Sequence, residues 1–231
     1  MLLPVLRPIL DLMYPPVCLA CQQELPASAE MLCLHCWYEL PETHQHVCLE
    51  NAFAEIFWGR VPIVAGAALY YFSKSGRVQR LIHQLKYERK SVIGIELGTY
   101  YGSQLRQVAP FNTTQVVVPV PLHPKKEKDR GYNQANVFGE GMAKSLGVPV
   151  CCEVLKKNEH TLSQTQKSRL GRMQNVQQSF RLGNPEDVKG KHVLLVDDVL
   201  TTGATLEACA SLLMEVEGVS VSLATIAMAG D

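Results

Sequence analysis

Beyond residue 60 the apolar positions switch repeatedly between two periods. Residues 64–72, VAGAALYYF, form a β-like run. Residues 77–87 then place Val78, Leu81, Ile82 and Leu85 at the three- and four-residue spacing of one helix face. A second helix is expected over 92–108. Residues 115–121, QVVVPVP, read as a short buried strand ended by prolines. A helix over 134–146 stops at Gly147. Strand, helix and short strand are expected over 150–155, 168–176 and 179–182. A strand over 192–196, a helix over 204–216 and a last strand over 219–227 complete the series. At the N-terminus, MLLPVLRPILDLMYPP predicts a short amphipathic helix near 5–13, stopped by Pro15 and Pro16. Apolar strands alternating with amphipathic helices predict an α/β class, with parallel strands joined by crossovers and covered on both faces. Ligands of such sheets bind beyond the carboxyl ends of strands. That directs attention to the turns after residues 116–120 and 192–196.

Composition adds a division. The 231 residues are 47% hydrophobic and 19% charged, a globular balance for one domain or a domain plus a small module. The formal net charge is zero, which argues against nucleic-acid binding by bulk charge. Yet residues 1–60 hold two basic and seven acidic side chains, a balance of −5, and the remainder carries +5. The expected organisation is an acidic module over 1–60 and a mildly basic body over 61–231. Basic residues gather at 77–90, 125–130 and 156–181, as solvated helix faces or as a site for a phosphorylated ligand. No run of about twenty apolar residues exists, so no transmembrane helix is expected. The N-terminus lacks the charged and uninterrupted apolar regions of a signal peptide, and the cytoplasm is the expected location.

Four of the eight cysteines form CLAC, eleven residues, then CLHC. Cys18, Cys21, Cys33 and Cys36 at this spacing suit a tetrahedral structural zinc. Two disulfides are the alternative, disfavoured in a reducing compartment. His35, His44, His46 and Cys48 lie close enough in sequence to substitute as ligands, but four cysteines already complete a site.

The second marked turn reads VLLVDDVLTTGAT, residues 193–205. Thr201, Thr202, Gly203, Ala204 and Thr205 lie between a strand and a helix start. Free N–H groups, the positive dipole end, threonine hydroxyls and a glycine that admits close approach describe a phosphate cradle. The GxxxxGK[ST] pattern of triphosphate loops is absent. Asp197 and Asp198 would repel a phosphate unless a sugar diol, or magnesium, lies between. A ribose 5-phosphate fits those pieces. The plainer alternative is that an acid or a threonine only caps the helix.

This stretch resembles the phosphoribosyl-pyrophosphate motif of type I phosphoribosyltransferases. With VVVPVPLHPKKEKDRGYNQA (116–135), Gln164, Arg172, Asn175, Phe180, the LKY at 85–87 and the paired CxxC, the whole chain resembles the ComF family. The resemblance implies a type I phosphoribosyltransferase fold, a parallel sheet flanked by helices, preceded by a small four-cysteine zinc-binding module. It implies that Asp197 and Asp198 meet ribose hydroxyls and that Thr201, Thr202, Gly203, Ala204 and Thr205 hold the 5-phosphate. The turn over 119–123, with Val120, Pro121 and Leu122, would lie near the pyrophosphate. Residues 125–132 would form a mobile loop, from which Arg130 and Tyr132 reach the donor. Magnesium and basic groups, Arg130 foremost and Lys125, Lys126 and Lys128 beside it, would neutralise the leaving pyrophosphate. Two departures stand out: Cys48 is followed three residues later by Asn51, so a further CxxC is incomplete, and Lys156-Lys157 stands where relatives carry arginine.

Two function classes follow. One is an enzyme that binds magnesium and phosphoribosyl pyrophosphate and transfers the sugar to an acceptor the sequence does not name. The other is a competence factor that binds single-stranded DNA, through basic clusters beside Tyr87, Tyr132 and Phe138, and a helicase-like protein partner.

Overall fold

Valines and leucines at alternate positions build the centre of the molecule. Val116, Val118, Val193, Leu195, Val221 and Leu223 pack into one apolar cluster, whereas Val117, Leu194, Val196 and Ala224 pack into another. Two-residue alternation with both sets buried is the signature of a sheet covered on both faces. The computed structural model describes residues 15–26, 29, 31–158 and 179–229. The helices expected over 5–13 and 168–176, with Gln164, Arg172 and Asn175, lie outside these.

In chain order the elements are α1 (Leu34–Glu39), α2 (Ala52–Glu55), β1 (Gly66–Phe72), α3 (Arg77–Tyr87), α4 (Ser91–Leu105), β2 (Val116–Pro119), α5 (Pro124–Arg130), α6 (Gln134–Leu146), β3 (Leu155–Lys157), β4 (Phe180–Leu182), β5 (His192–Leu200), α7 (Ala204–Met214) and β6 (Ser220–Ala229). The four long strands pair in the order β1-β6-β5-β2, all parallel. Helices α3, α4 and α6 and the cysteine-bearing segment cover one face, and α7 with the segment around α2 covers the other.

Three local expectations are corrected. The strand expected over 150–155 lies later, at β3, and pairs antiparallel with β4 in a separate two-stranded sheet. Val150 makes only an isolated bridge to Val117. Burial of Val154 and Leu155 mimics a strand pattern, but Cys152 and Glu153 sit in an exposed turn. Residues 124–130, expected within a loop, form a helix. His123 accepts a hydrogen bond from the N–H of Lys125 at 3.2 Å, Pro124 supplies the preset φ of a first helical position, and Gly131 ends the helix. Capping chemistry, rather than an apolar face, makes α5. Finally, β5 does not end at Val196. Its ladder with β6 continues through Asp197↔Thr225 to Leu200↔Met228, so both acids stand inside the paired strand.

α4 and α6 approach closely because both lack side-chain bulk at the crossing. A Cβ on Gly98 would lie 2.2 Å from the carbonyl oxygen of Phe138, and one on Gly141 would lie 2.2 Å from that of Ile95. Both obstructions are backbone, so the helices themselves must part. Gly98→Ala is therefore expected to destabilise the fold by about 1–3 kcal/mol in urea unfolding. Ser103→Ala, on the exposed side of α4, is expected to stay within about 0.5 kcal/mol. An unchanged midpoint for Gly98→Ala would contradict the crossing.

Candidate active site

The site is assembled at the carboxyl end of β5. Residues Val193, Leu194, Leu195 and Val196 are fully buried and hydrogen-bonded on both sides, to β2 and to β6. The half-buried Asp197 and Asp198 continue that rigid strand. Strand alternation sends the two carboxylates toward opposite faces. Asp198 meets the Lys86 ammonium at 2.9 Å. That lysine is the penultimate residue of α3, whose Val78, Leu81, Ile82 and Leu85 are buried. Asp197 takes the N–H of Asp198 onto its own carboxylate at 2.8 Å. Burial, and then the negative charge of Asp198, push its carboxyl up to about 7, against the pull of that N–H, Lys86 and Lys157. Lys157, on β3, lies with its ammonium 4.2 Å from the Phe180 ring centre, and burial lowers its pKa.

The small-residue turn follows directly. Thr201 and Thr202 are exposed, and Gly203, at φ 78°, precedes the first residue of α7. No side chain caps this helix, so neither acid nor threonine plays the plain capping role. Its first-turn N–H groups point at the space past β5. Glu207, the acid in that first turn, is bound by Arg60, whose Nε reaches its Oε2 at 3.0 Å and whose Nη2 pairs with it closely. The same guanidinium donates to the carbonyls of Ile56 at 2.9 Å and Thr202 at 3.1 Å. A Cβ at Gly203 would come within 2.9 Å of Ile56 and 3.2 Å of the Phe57 ring. The segment following α2 thus buttresses the turn, and Gly203 is required by its φ and by that contact.

The preceding turn is bound to the same strand. The N–H of Val120 donates to the carbonyl of Val196 at 2.9 Å, and Asn133 donates to the carbonyl of Val120 at 2.9 Å. Pro121 and Leu122 open on a cleft of about 390 Å³ that also meets Lys156, Lys157 and Arg181. Arg130 is turned toward α3: it donates to Gln134 at 2.5 Å and lies 5.4 Å from the ring centre of Tyr87. Tyr132 donates to the carbonyl of Leu85 at 2.6 Å. The end of α3 therefore gathers Asp198, Arg130 and Tyr132, while Lys125, Lys126 and Lys128 are exposed along α5. Lys86 and Arg60 are two site residues to which the sequence motifs assign no role. Lys86 borders the apolar stripe, four residues after Ile82, which is a usable signal. Nothing local marks Arg60, because its partners are 142 and 147 residues away.

Near the N-terminus, the sulfurs of Cys18, Cys21, Cys33 and Cys36 all lie within 4.8 Å of one another, Cys21 and Cys33 at 3.7 Å. Tetrahedral zinc with Zn–S near 2.3 Å needs sulfurs about 3.8 Å apart, so the set fits zinc. Cys48 and the three histidines stand outside the cluster. Where a further cysteine pair would close, the Asn51 side chain accepts from the N–H groups of Phe53 and Ala54, and its two amide hydrogens are shared among the carbonyls of Gln45, Cys48 and Gly66. One carboxamide ties that turn to β1.

Residues 133–231 match the family described as the phosphoribosyl transferase domain, and residues 9–54 match the double zinc ribbon domain. Competence protein F of Haemophilus influenzae is 35% identical over 100 residues, 43% of this chain and 44% of that protein. Competence protein ComFC of Bacillus subtilis is 31% identical over 100 residues, 43% of this chain and 38% of that protein. Over that stretch the chain is similar to ComF-type competence proteins. DNA utilization protein YhgH of Escherichia coli K12 is 32% identical over 137 residues, 58% of this chain. The matched stretch spans 60% of that relative's length. Among solved structures, glutamine phosphoribosylpyrophosphate amidotransferase from B. subtilis, complexed with ADP and GMP, superposes at a TM-score of 0.41 and 22% identity. That superposition covers 61% of this chain and 30% of the other. By its family-model matches and its four-cysteine cluster, the chain combines a phosphoribosyltransferase fold with a zinc-ribbon module. Among the described residues no helix is long and apolar enough to cross a membrane.

Two outcomes are expected. The purified chain should carry one zinc per molecule by elemental analysis, and Cys36→Ser should lose it together with part of the thermal stability. A content of two would contradict the Asn51 arrangement. Asp197 holds its proton more tightly in the folded chain, so its contribution to stability falls as pH rises from about 4 through 7. Asp197→Asn should therefore stabilise the unliganded protein by about 1–3 kcal/mol at pH 8 and by little near pH 4. A gain independent of pH would contradict that burial.

Proposed function

We propose that this chain is a ComF-type protein that binds magnesium phosphoribosyl pyrophosphate at the end of β5 and transfers its phosphoribosyl group to an acceptor. The observation that carries the reading is the uncapped start of α7, with its neighbouring acid Glu207 neutralised by Arg60, directly after a strand bearing two fixed carboxylates. A phosphate monoester is the ligand that such an N-terminus suits. The acids, separated from the turn by Val199 and Leu200, suit the hydroxyls of the attached sugar. In this reading the N–H groups of the turn 201–205 hold the 5-phosphate, and Lys86 yields Asp198 to a ribose hydroxyl.

Magnesium fits the hard oxygen donors available, and the ion would neutralise charge on the departing pyrophosphate. In this reading the backbone turn of Val120, Pro121 and Leu122 would face the pyrophosphate, and Lys157, which lines the same cleft as Pro121 and Leu122, and Arg130 would add positive charge to it. Cleavage at C1 of the sugar builds positive charge on the ring, which the fixed carboxylates favour. Residues 61–231 would form the catalytic unit, with residues 1–60 supplying the zinc module and the Arg60 buttress.

A second reading has a smaller footing. Tyr87 is 64% exposed beside Arg130, an arrangement on which a base of single-stranded DNA stacks. Phe138 is fully buried and Tyr132 is half-buried with its hydroxyl engaged, so neither contributes. The relatives' names, competence protein and DNA utilization protein, favour a DNA-related role for this chain.

Calorimetric titration of magnesium and phosphoribosyl pyrophosphate into zinc-loaded protein tests the first reading. Saturable binding is expected, weakened at least about thirtyfold in an Asp197→Asn, Asp198→Asn double variant. Absence of binding to folded wild type would reject it and move attention to DNA.

A further inference from the structure

α1 exposes Leu34 at 70% and Tyr38 at 81%. Beside them Trp37 packs against Tyr100 of α4, with ring centres 5.1 Å apart. Leu34, Trp37, Tyr38, Leu40 and Tyr100 wall a groove of about 590 Å³ around one carboxylate, that of Glu42. Its side chain is only 13% exposed. The Tyr100 hydroxyl donates to it at 2.5 Å and the Gln104 amide at 3.2 Å, which fixes its direction. Among the described residues its only ion-pair neighbour is the exposed His44 ring at 3.7 Å, charged only when protonated. Across Trp37, a second groove of about 550 Å³ shares Leu34 and Trp37 and includes Glu96.

We propose that this aromatic groove docks a basic, partly apolar segment of a partner protein, with an arginine or lysine seated on Glu42. A carboxylate half-removed from water and already oriented by two donors is prepared for a cation. Aromatic faces add cation–π attraction to the same charge. The uncovered apolar surface of Leu34 and Tyr38 calls for neighbouring apolar side chains, which a free amine lacks. The sign excludes a polyanion such as nucleic acid. A second copy of this module is a poor occupant: residues 1–60 carry a balance of −5, and Arg60, one of their two basic residues, is held by Glu207. The inference does not depend on the donor site.

The chain has two tryptophans, so Trp58→Phe leaves Trp37 as the sole indole reporter. That full-length, zinc-loaded variant is titrated with an eight-residue peptide bearing arginine between leucines, and with its glutamine counterpart. A saturable change in Trp37 fluorescence is expected, at least about tenfold tighter for the arginine peptide. Glu42→Gln should reduce that preference to below about twofold. Tyr38→Ala, a surface truncation that leaves the carboxylate in place, should weaken both peptides alike by about fivefold. No saturable change up to millimolar arginine peptide would overturn the proposal. So would a preference that survives Glu42→Gln, or a Trp37 signal that follows protein concentration and ignores peptide.

Discussion

The pairing of β5 between β2 and β6 is the constraint on which the rest depends. It fixes the apolar stretch Val193, Leu194, Leu195 and Val196 on two edges and two faces. A strand so held can carry charge at its end, because the cost of burying Asp197 is met by the cooperative ladder around it. The register delivers three features to one place: the acids, the Val120 turn through its bond to Val196, and the start of α7. Loosening that strand would move all three together.

Charge is arranged around the strand in opposed pairs. Lys86 reaches Asp198 from the face of α3, and Lys157 bears on Asp197 from β3. Arg60 offsets the charge of Glu207 beside the turn 201–205. Each pairing leaves the first N–H groups of α7 as the dominant positive feature beyond the strand. The N-terminal module therefore has two roles in the fold. Its cysteine cluster packs on α3 and α4, with Arg80 and Gln84 donating to the carbonyls of Ala20 and Leu19, and its last residues support the turn 201–205 from the opposite face.

The α/β class was legible because periodicity reports burial directly. The helices at Arg77–Tyr87 and Gln134–Leu146 have the expected bounds, since an apolar stripe or a terminal glycine marks them. The end of β5 was not legible, because hydropathy falls at Asp197 while hydrogen bonding to β6 continues. α5 was missed for the converse reason: PKKEKDR has no apolar face, and its helix rests on His123, Pro124 and Gly131. At the site, the acid pair and the threonine-glycine turn announce themselves by residue type. Lys86, Lys157 and Arg60 do not, as their roles arise from contacts across the fold. The cysteine cluster was legible because ligand spacing is itself the chemistry, whereas the Asn51 substitute for a missing ligand shows only through its five bonds.

The central claim is that this strand end and turn hold a ribose 5-phosphate. A crystal structure of the zinc-loaded protein grown with magnesium and phosphoribosyl pyrophosphate tests it most directly. The account predicts the 5-phosphate on the N–H groups at the start of α7, with Lys86 withdrawn from Asp198 and a ribose hydroxyl in its place. A phosphate settled instead among Lys156, Lys157 and Arg181, with the Lys86–Asp198 pair intact, would contradict it.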